Sequence, residues 1–189
     1  MSTLLSPAQA LALPTVLVLA SGRGERFTAS GGMVHKLQAD LCGKTVLQRT
    51  LEAVQQSGLL WHLEDAGHPG MGDSIAAAVQ VTRNAAGWLI LPADLPLVAA
   101  QTLVELAQAS PSAQVLVPVH GGQRGHPVRF SRACGDALVA LRGPSGAAAV
   151  VSRFHALHWP VSDPGCLCDV DTLSDLERVR DILNTYSNK

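Results

Sequence analysis

The feature that most constrains the fold is Thr15–Ala20 (TVLVLA), a run without a single charge that leads straight into Ser21-Gly22-Arg23-Gly24. An apolar run this short, uninterrupted by polar residues and stopped by glycine, reads as a strand buried on both faces. Such strands belong to layered α/β sheets, in which helices cover both sides. The rest of the chain keeps that rhythm. Gly87–Leu91 (GWLIL), halted by Pro92, and Gln114–Val119 are further strands, and Leu59–Glu64 is a shorter one. Between them lie helical periods. Thr45–Ser57 carries apolar residues at Val46, Leu47, Leu51 and Val54 and stops at Gly58, Ser74–Asn84 starts on Ser74 as its cap, and Ala99–Ser110 follows the third strand. Strands alternating with helices predict right-handed crossovers and a mainly parallel sheet.

After residue 120 the order changes. Pro127–Phe130 and Ala156–Val161 read as strands, helical stretches lie around Ala133–Arg142 and Ser145–Phe154, Leu167–Val170 is a short strand, and Thr172–Tyr186 is a closing amphipathic helix. The expected organisation is a flexible leader over 1–14 and a single domain over 15–189 with a late β-rich insertion. A chain of 189 residues suffices for a substantial core. Its formal net charge of −1 gives no long-range attraction to nucleic acid or to anionic membranes. The leader has no Lys or Arg and is not read as a signal peptide, and no apolar run reaches bilayer length. Cys42, Cys134, Cys166 and Cys168 lack zinc spacing, which suits reduced thiols in the cytoplasm.

The loop after the first strand is where an open α/β sheet places its ligand. Glycines there let backbone N–H groups approach a phosphate, although a strand-to-helix turn needs glycine for its own geometry. A dinucleotide fingerprint would require a third glycine where Phe27 stands, and a P-loop ending at Gly43-Lys44-Thr45 would require a glycine where Gln38 stands. Hydride transfer is thus disfavoured and the P-loop fails. Arg23 and Arg26 flank the glycines, and Lys36 follows on the same loop. Three cations this close repel one another unless an anion joins them or they face water. Asp94, between Pro92 and Pro96 at the end of a central strand, either points into the ligand crevice or caps the next helix. Asp169 and Asp171, two apart on an expected strand, share a face. Asp171 also suits the cap of the last helix.

Leu19-Ala20-Ser21-Gly22-Arg23-Gly24-Glu25-Arg26-Phe27 with His35-Lys36-Leu37 resembles the signature of MobA-like nucleotidyltransferases, nearest their molybdenum cofactor cytidylyltransferase branch. The resemblance continues in order through Gly70-Met71-Gly72-Asp73-Ser74, Pro92-Ala93-Asp94-Leu95-Pro96, Arg124-Gly125-His126-Pro127-Val128 and Asp163-Pro164-Gly165 to Asp169-Val170-Asp171-Thr172. It implies a three-layer Rossmann-like nucleotidyltransferase sheet and transfer of an NMP, CMP first, from NTP to a phosphorylated acceptor of the molybdopterin type. On this resemblance Arg23, Lys36 and Asp94 carry catalysis. Leu19, Ala20, Ser21, Gly22, Gly24, Arg26, Lys36, Gly70, Met71, Gly72 and Ser74 take the nucleotide, Arg124, Gly125 and His126 face the acceptor, and Asp94, Asp169 and Asp171 hold Mg²⁺, with Asp169 preferred to Asp171. Ser21 stands where cytosine and guanine users differ. A molybdoenzyme or its maturation factor is the implied protein partner.

Three departures accompany the resemblance. Only Leu59–Pro69 fills the space usually taken by a full strand and helix, the Arg26–Lys36 loop is long, and Gly143–Ala147 lacks the family's Asp and Arg. A sugar- or polyol-phosphate nucleotidyltransferase uses the same loop and metal logic. A non-catalytic chaperone that binds nucleotide or molybdenum cofactor is the reading from another class.

Overall fold

The computed structural model describes residues 6–110 and 112–187. Of the leader expected over 1–14, residues 1–5 lie outside the described residues. Ser6 caps a short helix, α1 (Pro7–Ala12), in a capping box with Gln9. The strands are β1 (Thr15–Leu19), β2 (Trp61–Glu64), β3 (Gly87–Pro92), β4 (Val115–His120), β5 (Gln123–Arg124), β6 (Val128–Ser131) and β7 (Leu157–Pro160). The remaining helices are α2 (Glu25–Ala29), α3 (Val46–Ser57), α4 (Met71–Val81), α5 (Ala100–Gln108), α6 (Gly135–Val139), α7 (Ala148–Arg153) and α8 (Leu173–Ser187).

The strands form one sheet in the order β2-β1-β3-β6-β4-β5, with β7 on β4. The core trio is parallel: β1 lies between β2 and β3. β6 then runs antiparallel to β3 and to β4, whereas β7 runs parallel to β4. Leu116 of β4 pairs with both β6 and β7, and Val119 with both β5 and β7. β5 and β6 therefore share one edge of β4 as a single strand broken at Gly125–Pro127.

Period-two alternation makes three layers from this sheet. Val16 and Val18 of β1 and Leu89 and Leu91 of β3 pack on one face with Val54, Leu103, Leu106 and Val179 of α3, α5 and α8. Leu17, Leu19, Trp88 and Ile90 point the other way, onto Ile75, Val79, Leu138 and Val150 of α4, α6 and α7. All five residues of β1 are buried, as expected of a strand covered on both sides. The mainly parallel three-layer sheet expected of the sequence is thus present, with β2 alone filling the shortened region.

Three local expectations need correction. The fourth helix starts at Met71 with Gly70 as its cap, so Ser74 lies within the helix. Leu167–Val170 is not a strand: Pro164–Leu167 is a 3₁₀ turn, and the amide of Val170 donates to the carbonyl of Asp94 (2.9 Å). Cys168 and Val170 are buried and Leu167 is half-buried, which imitates a strand pattern, but its amides serve turns and the segment after β3. Finally, the stretch after Gly24 is not all loop, because Phe27 is buried and anchors the short helix α2. Among the described residues no helix is long and apolar enough to cross a membrane.

Candidate active site

The site lies at the carboxyl ends of the parallel strands. Leu19 is level with Glu64 on one side and with Pro92 on the other, so the chain segments leaving β1, β2 and β3 emerge side by side. The amide of Ala20 donates to the carbonyl of Glu64 and that of Ala93 to the carbonyl of Leu19, which ties the three exits together.

The loop after β1 turns through Gly24, whose φ of 65° lies in the left-handed region and starts α2. The amide of Leu37 donates to Nδ1 of His35, so in the neutral ring Nε2 is the protonated nitrogen and donates to the carbonyl of Gly22 (2.8 Å). His35 thereby holds the glycine loop down. Phe27, where a dinucleotide-binding loop would need glycine, is a core anchor on which Gly32 packs so closely that a Cβ there would lie 2.2 Å from the ring.

Lys36, at the start of a 3₁₀ turn, reaches back under this loop. Its ammonium donates to Asp94 Oδ2 and Asp171 Oδ1, both at 2.6 Å, and Arg26 donates to Asp171 Oδ2 at 2.9 Å. Two of the three loop cations are thus joined by carboxylates, while Arg23 faces water beside Glu25. Burial acts to lower the pKa of Lys36, but Asp94 and Asp171 outweigh it and hold the ammonium above 10.5. Burial likewise acts to raise Asp171, and Lys36 and Arg26 overcome it, leaving the carboxyl below 3.8. Thr50 donates to the carbonyl of Ala93 at 2.9 Å, and Val170 donates to that of Asp94, so the backbone around this carboxylate is fixed from two sides.

Asp169 does not join the cluster. It is exposed, and its carboxyl is raised first by desolvation and then by repulsion from Asp94 and Asp171. Period two requires a strand, and since this segment is irregular, residues two apart do not share a face here. Nor is Asp171 the cap of α8: its amide and that of Thr172 donate to Asp175.

Among the described residues no three His, Cys, Asp or Glu side chains stand together as a metal cage. Mg²⁺ needs only one or two carboxylates and completes its octahedron with water and phosphate. Asp94 Oδ1 fits that requirement, being buried and without a hydrogen-bond partner. A buried carboxylate oxygen left unpaired is costly and marks a position where an electropositive ligand would be stabilised.

Around this cluster opens a cavity of about 400 Å³. Leu19, Ser21, Gly22, Gly24, Arg23, Arg26, Lys36, Gly70, Met71, Ser74, Asp94 and Asp171 line it, so most of the sequence-derived nucleotide and metal residues converge. Ser21 and Ser74 are hydrogen-bonded to each other across it. At the start of α4, Gly72 donates to the carbonyl of Gly143 (2.8 Å), and Gly143 donates to Asp73 (2.9 Å). A Cβ on Gly70 would lie 2.4 Å from the Gly143 backbone, so glycine permits this docking. The amide of Gly72 is thus already taken, contrary to its expected availability for a ligand. Sequence reading missed His35, His68 and Pro144 as parts of the site; His68 and Pro144 line the cavity, and His35 acts on the loop.

Arg124, Gly125 and His126 line a second cavity, of about 580 Å³, which shares Leu19, Met71 and Pro92 with the first. Arg124 ends β5, and Gly125 and His126 lie in the break before β6, where the amide of His126 donates to the carbonyl of Cys166. The His126 ring is open to the cavity yet enclosed by protein, and this burial lowers its pKa below 6.5 against the opposing pull of Asp94 and Asp169. Apolar side chains such as Ile75, Ile90, Val117 and Phe130 form much of the wall.

The sequence model of the MobA-like NTP transferase domain matches residues 52–159. The bifunctional protein GlmU of Xylella fastidiosa is 29% identical over 148 residues, covering 64% of this chain but 32% of that protein, so the chain spans about a third of its curated relative. Rv0371c of Mycobacterium tuberculosis shares the fold with a TM-score of 0.70 at 24% identity, covering 89% of this chain and 97% of that one. Rv0371c has also been solved as a complex with manganese. Molybdopterin-guanine dinucleotide biosynthesis protein A of Archaeoglobus fulgidus has a TM-score of 0.68 at 19% identity, covering 90% of this chain and 99% of that one.

Proposed function

We propose that this chain, which belongs to the MobA-like NTP transferase family, moves the NMP part of an NTP, CTP first, onto a small phosphorylated acceptor of the molybdopterin type in the cytoplasm and releases pyrophosphate. The observation that carries the reading is the Lys36 ammonium shared by Asp94 and Asp171 inside the cavity of the β1 glycine loop. Cations on the loop and carboxylates just after β3 and just before α8 suit a polyphosphate flanked by a divalent ion.

In the proposed reaction a phosphate oxygen of the acceptor forms a bond to the α-phosphorus while the bond from that phosphorus to the β-phosphate bridging oxygen breaks. An ionised phosphate is already a nucleophile near neutrality, so alignment and charge neutralisation are what the protein contributes. Lys36 and Arg26 turn from their carboxylates to the triphosphate, assisted by Arg23 and the amides of the glycine loop. Asp94 and Asp171 would hold Mg²⁺, which when bound neutralises charge on the α-phosphate and the attacking oxygen. Asp169 stands outside this pair. The second cavity receives the acceptor, with Arg124 for its phosphate and His126 beside it. A molybdoenzyme or its maturation factor would then receive the product.

Pyrophosphate release from CTP, GTP, ATP and UTP, with molybdopterin and then sugar or polyol phosphates as acceptors, tests the proposal. Lys36→Ala and Asp94→Ala are each expected to lower turnover by about 100-fold or more. Near-normal turnover in either variant refutes the residue roles. NTP binding without pyrophosphate from any acceptor favours a binding module instead.

A further inference from the structure

Glu64 is a buried acid that this mechanism leaves unused. It ends β2, and its side chain is only 8% exposed. Its Oε1 accepts from His68 Nε2 at 3.0 Å and from the amide of Ala66 at 3.3 Å, while His62 Nε2 lies 3.5 Å from Oε2. An ionised carboxylate only accepts, so the Nε2 of His68 carries the proton. In the neutral ring, Nδ1 is then a lone-pair acceptor.

The position of His68 says what that acceptor would meet. It lines the first cavity together with Pro69, Met71 and Pro144. Across the sheet, Glu64 is level with Leu19 and Leu19 with Pro92, so β1 separates the histidine from the Lys36–Asp94 cluster. Adjacent strands lie about 4.8 Å apart, which puts the two ends of the cavity roughly 10 Å from each other. That is the span between the α-phosphate of a nucleotide and its base. With phosphates at the cations, the base falls among Pro69, Met71 and Pro144, whose apolar surfaces suit a flat ring, and its polar edge meets His68.

We propose that His68, oriented by Glu64, is a specificity-determining residue that accepts a hydrogen bond from the exocyclic amino group of cytosine and so selects CTP over UTP. The inference rests on the nucleotidyltransferase reading and adds the group that reads the base. Uracil presents a carbonyl oxygen where cytosine presents the amine, so two lone pairs would face each other. His68 is a binding group here, and Glu64 a positioning residue that fixes its tautomer.

Calorimetric titration of the full chain with CTP, UTP and inorganic tripolyphosphate, each with Mg²⁺, tests this without an acceptor. Wild type is expected to prefer CTP over UTP by about tenfold or more. His68→Ala is expected to bring the two nucleotides within about twofold, with tripolyphosphate affinity unchanged, since that probe has no base. Glu64→Gln keeps the ring but can donate to it as well as accept, so it too narrows the ratio. A wild-type ratio near one, a preference for UTP, or a full preference retained in His68→Ala overturns the inference. Failure of wild type to bind either tripolyphosphate or any nucleotide overturns the nucleotidyltransferase reading itself.

Discussion

Replacing Lys36 by Met removes the charge at the centre of the site while keeping most of the aliphatic stem. The ammonium is 12% exposed and its partners Asp94 and Asp171 are 15% and 29% exposed, so solvent screens the cluster only in part. Removing one member of a largely buried ion pair typically costs 3–5 kcal/mol, because a charge is left without compensation. Here Asp171 retains Arg26 at 2.9 Å, which lowers the expected cost to about 3 kcal/mol, or about 6–12 °C in Tm for a chain of this size. The effect has a pH signature. Asp171 sits below 3.8 in the folded protein, so the stability it contributes is present above that value and lost as the pH falls through its folded pKa. Lys36 sits above 10.5, so its contribution is present below that value and lost only as the pH rises through its folded pKa. The gap between wild type and Lys36→Met in urea unfolding is therefore flat from mildly acidic to mildly alkaline pH. It closes as the pH falls through the folded pKa of Asp171, where protonation relieves that carboxylate in the variant and removes its attraction in wild type. Adding Asp94→Asn to Lys36→Met is expected to restore most of the loss, since Asp171 is then the one remaining carboxylate of the pair and keeps Arg26. A neutral-pH gap below about 0.5 kcal/mol, or a gap as wide in acid as at neutrality, would refute the reasoning.

Asp163 tests a structural link of the same region. Helix α5 is preceded at its cap position by Ala99, which has no capping side chain, and Asp163 supplies one from a distant segment by accepting from the amide of Ala99 (2.9 Å) and the hydroxyl of Thr102 (2.7 Å), while also accepting from Gly165 (2.7 Å). Asp163→Ala is expected to cost about 2 kcal/mol, seen as a lower urea midpoint at constant slope; an unchanged midpoint would show that the cap contributes nothing. The thiols give a second check. Cys42 is exposed, Cys134 and Cys166 are buried, and desolvation first of all pushes Cys166 up to about 11. Native alkylation followed by mass spectrometry should mark Cys42 and spare Cys166, and modification of both at one rate contradicts the burial.

Local signals were legible where local chemistry decides the outcome. Thr45 with Gln48 makes a capping box and Gly58 takes the left-handed stop, so α3 lies where its own residues place it. The buried run of β1 and the proline end of β3 are equally self-contained. The beginning of α4 is different: Ser74 has the best capping side chain nearby, but Gly143, far along the chain, docks on Gly72 and Asp73 and lets the helix start at Gly70. The same cause separates Asp169 from Asp171. Val170 contributes its amide to Asp94 rather than to a neighbouring strand, the segment loses period two, and one carboxylate turns to Lys36 while the other faces solvent. Ser21, Lys36 and Asp94 were legible as site residues because motif order carried them. His35 stood inside a quoted motif, but its bond to Gly22 shows only once the loop is folded, and the Glu64–His68 pair carries no motif, its place at the site existing only once β1 and β2 stand side by side.

Why cations, carboxylates and the second cavity meet at one edge follows from strand direction. β1 and β3 are parallel neighbours in level register, Leu19 against Pro92, so the glycine loop and Asp94 leave the sheet at the same height. β2 lies on the opposite side of β1, and its end brings Glu64 and His68 to that height as well. β6 is antiparallel to β3, with Val128 against Ile90, so the residues that precede β6 lie beside those that follow β3. A parallel β6 would have carried Arg124–His126 to the far edge of the sheet. The reversal sets them next to Asp94, and the wall that the two cavities share, Leu19, Met71 and Pro92, is where a group bound in one would come within bonding reach of a group bound in the other.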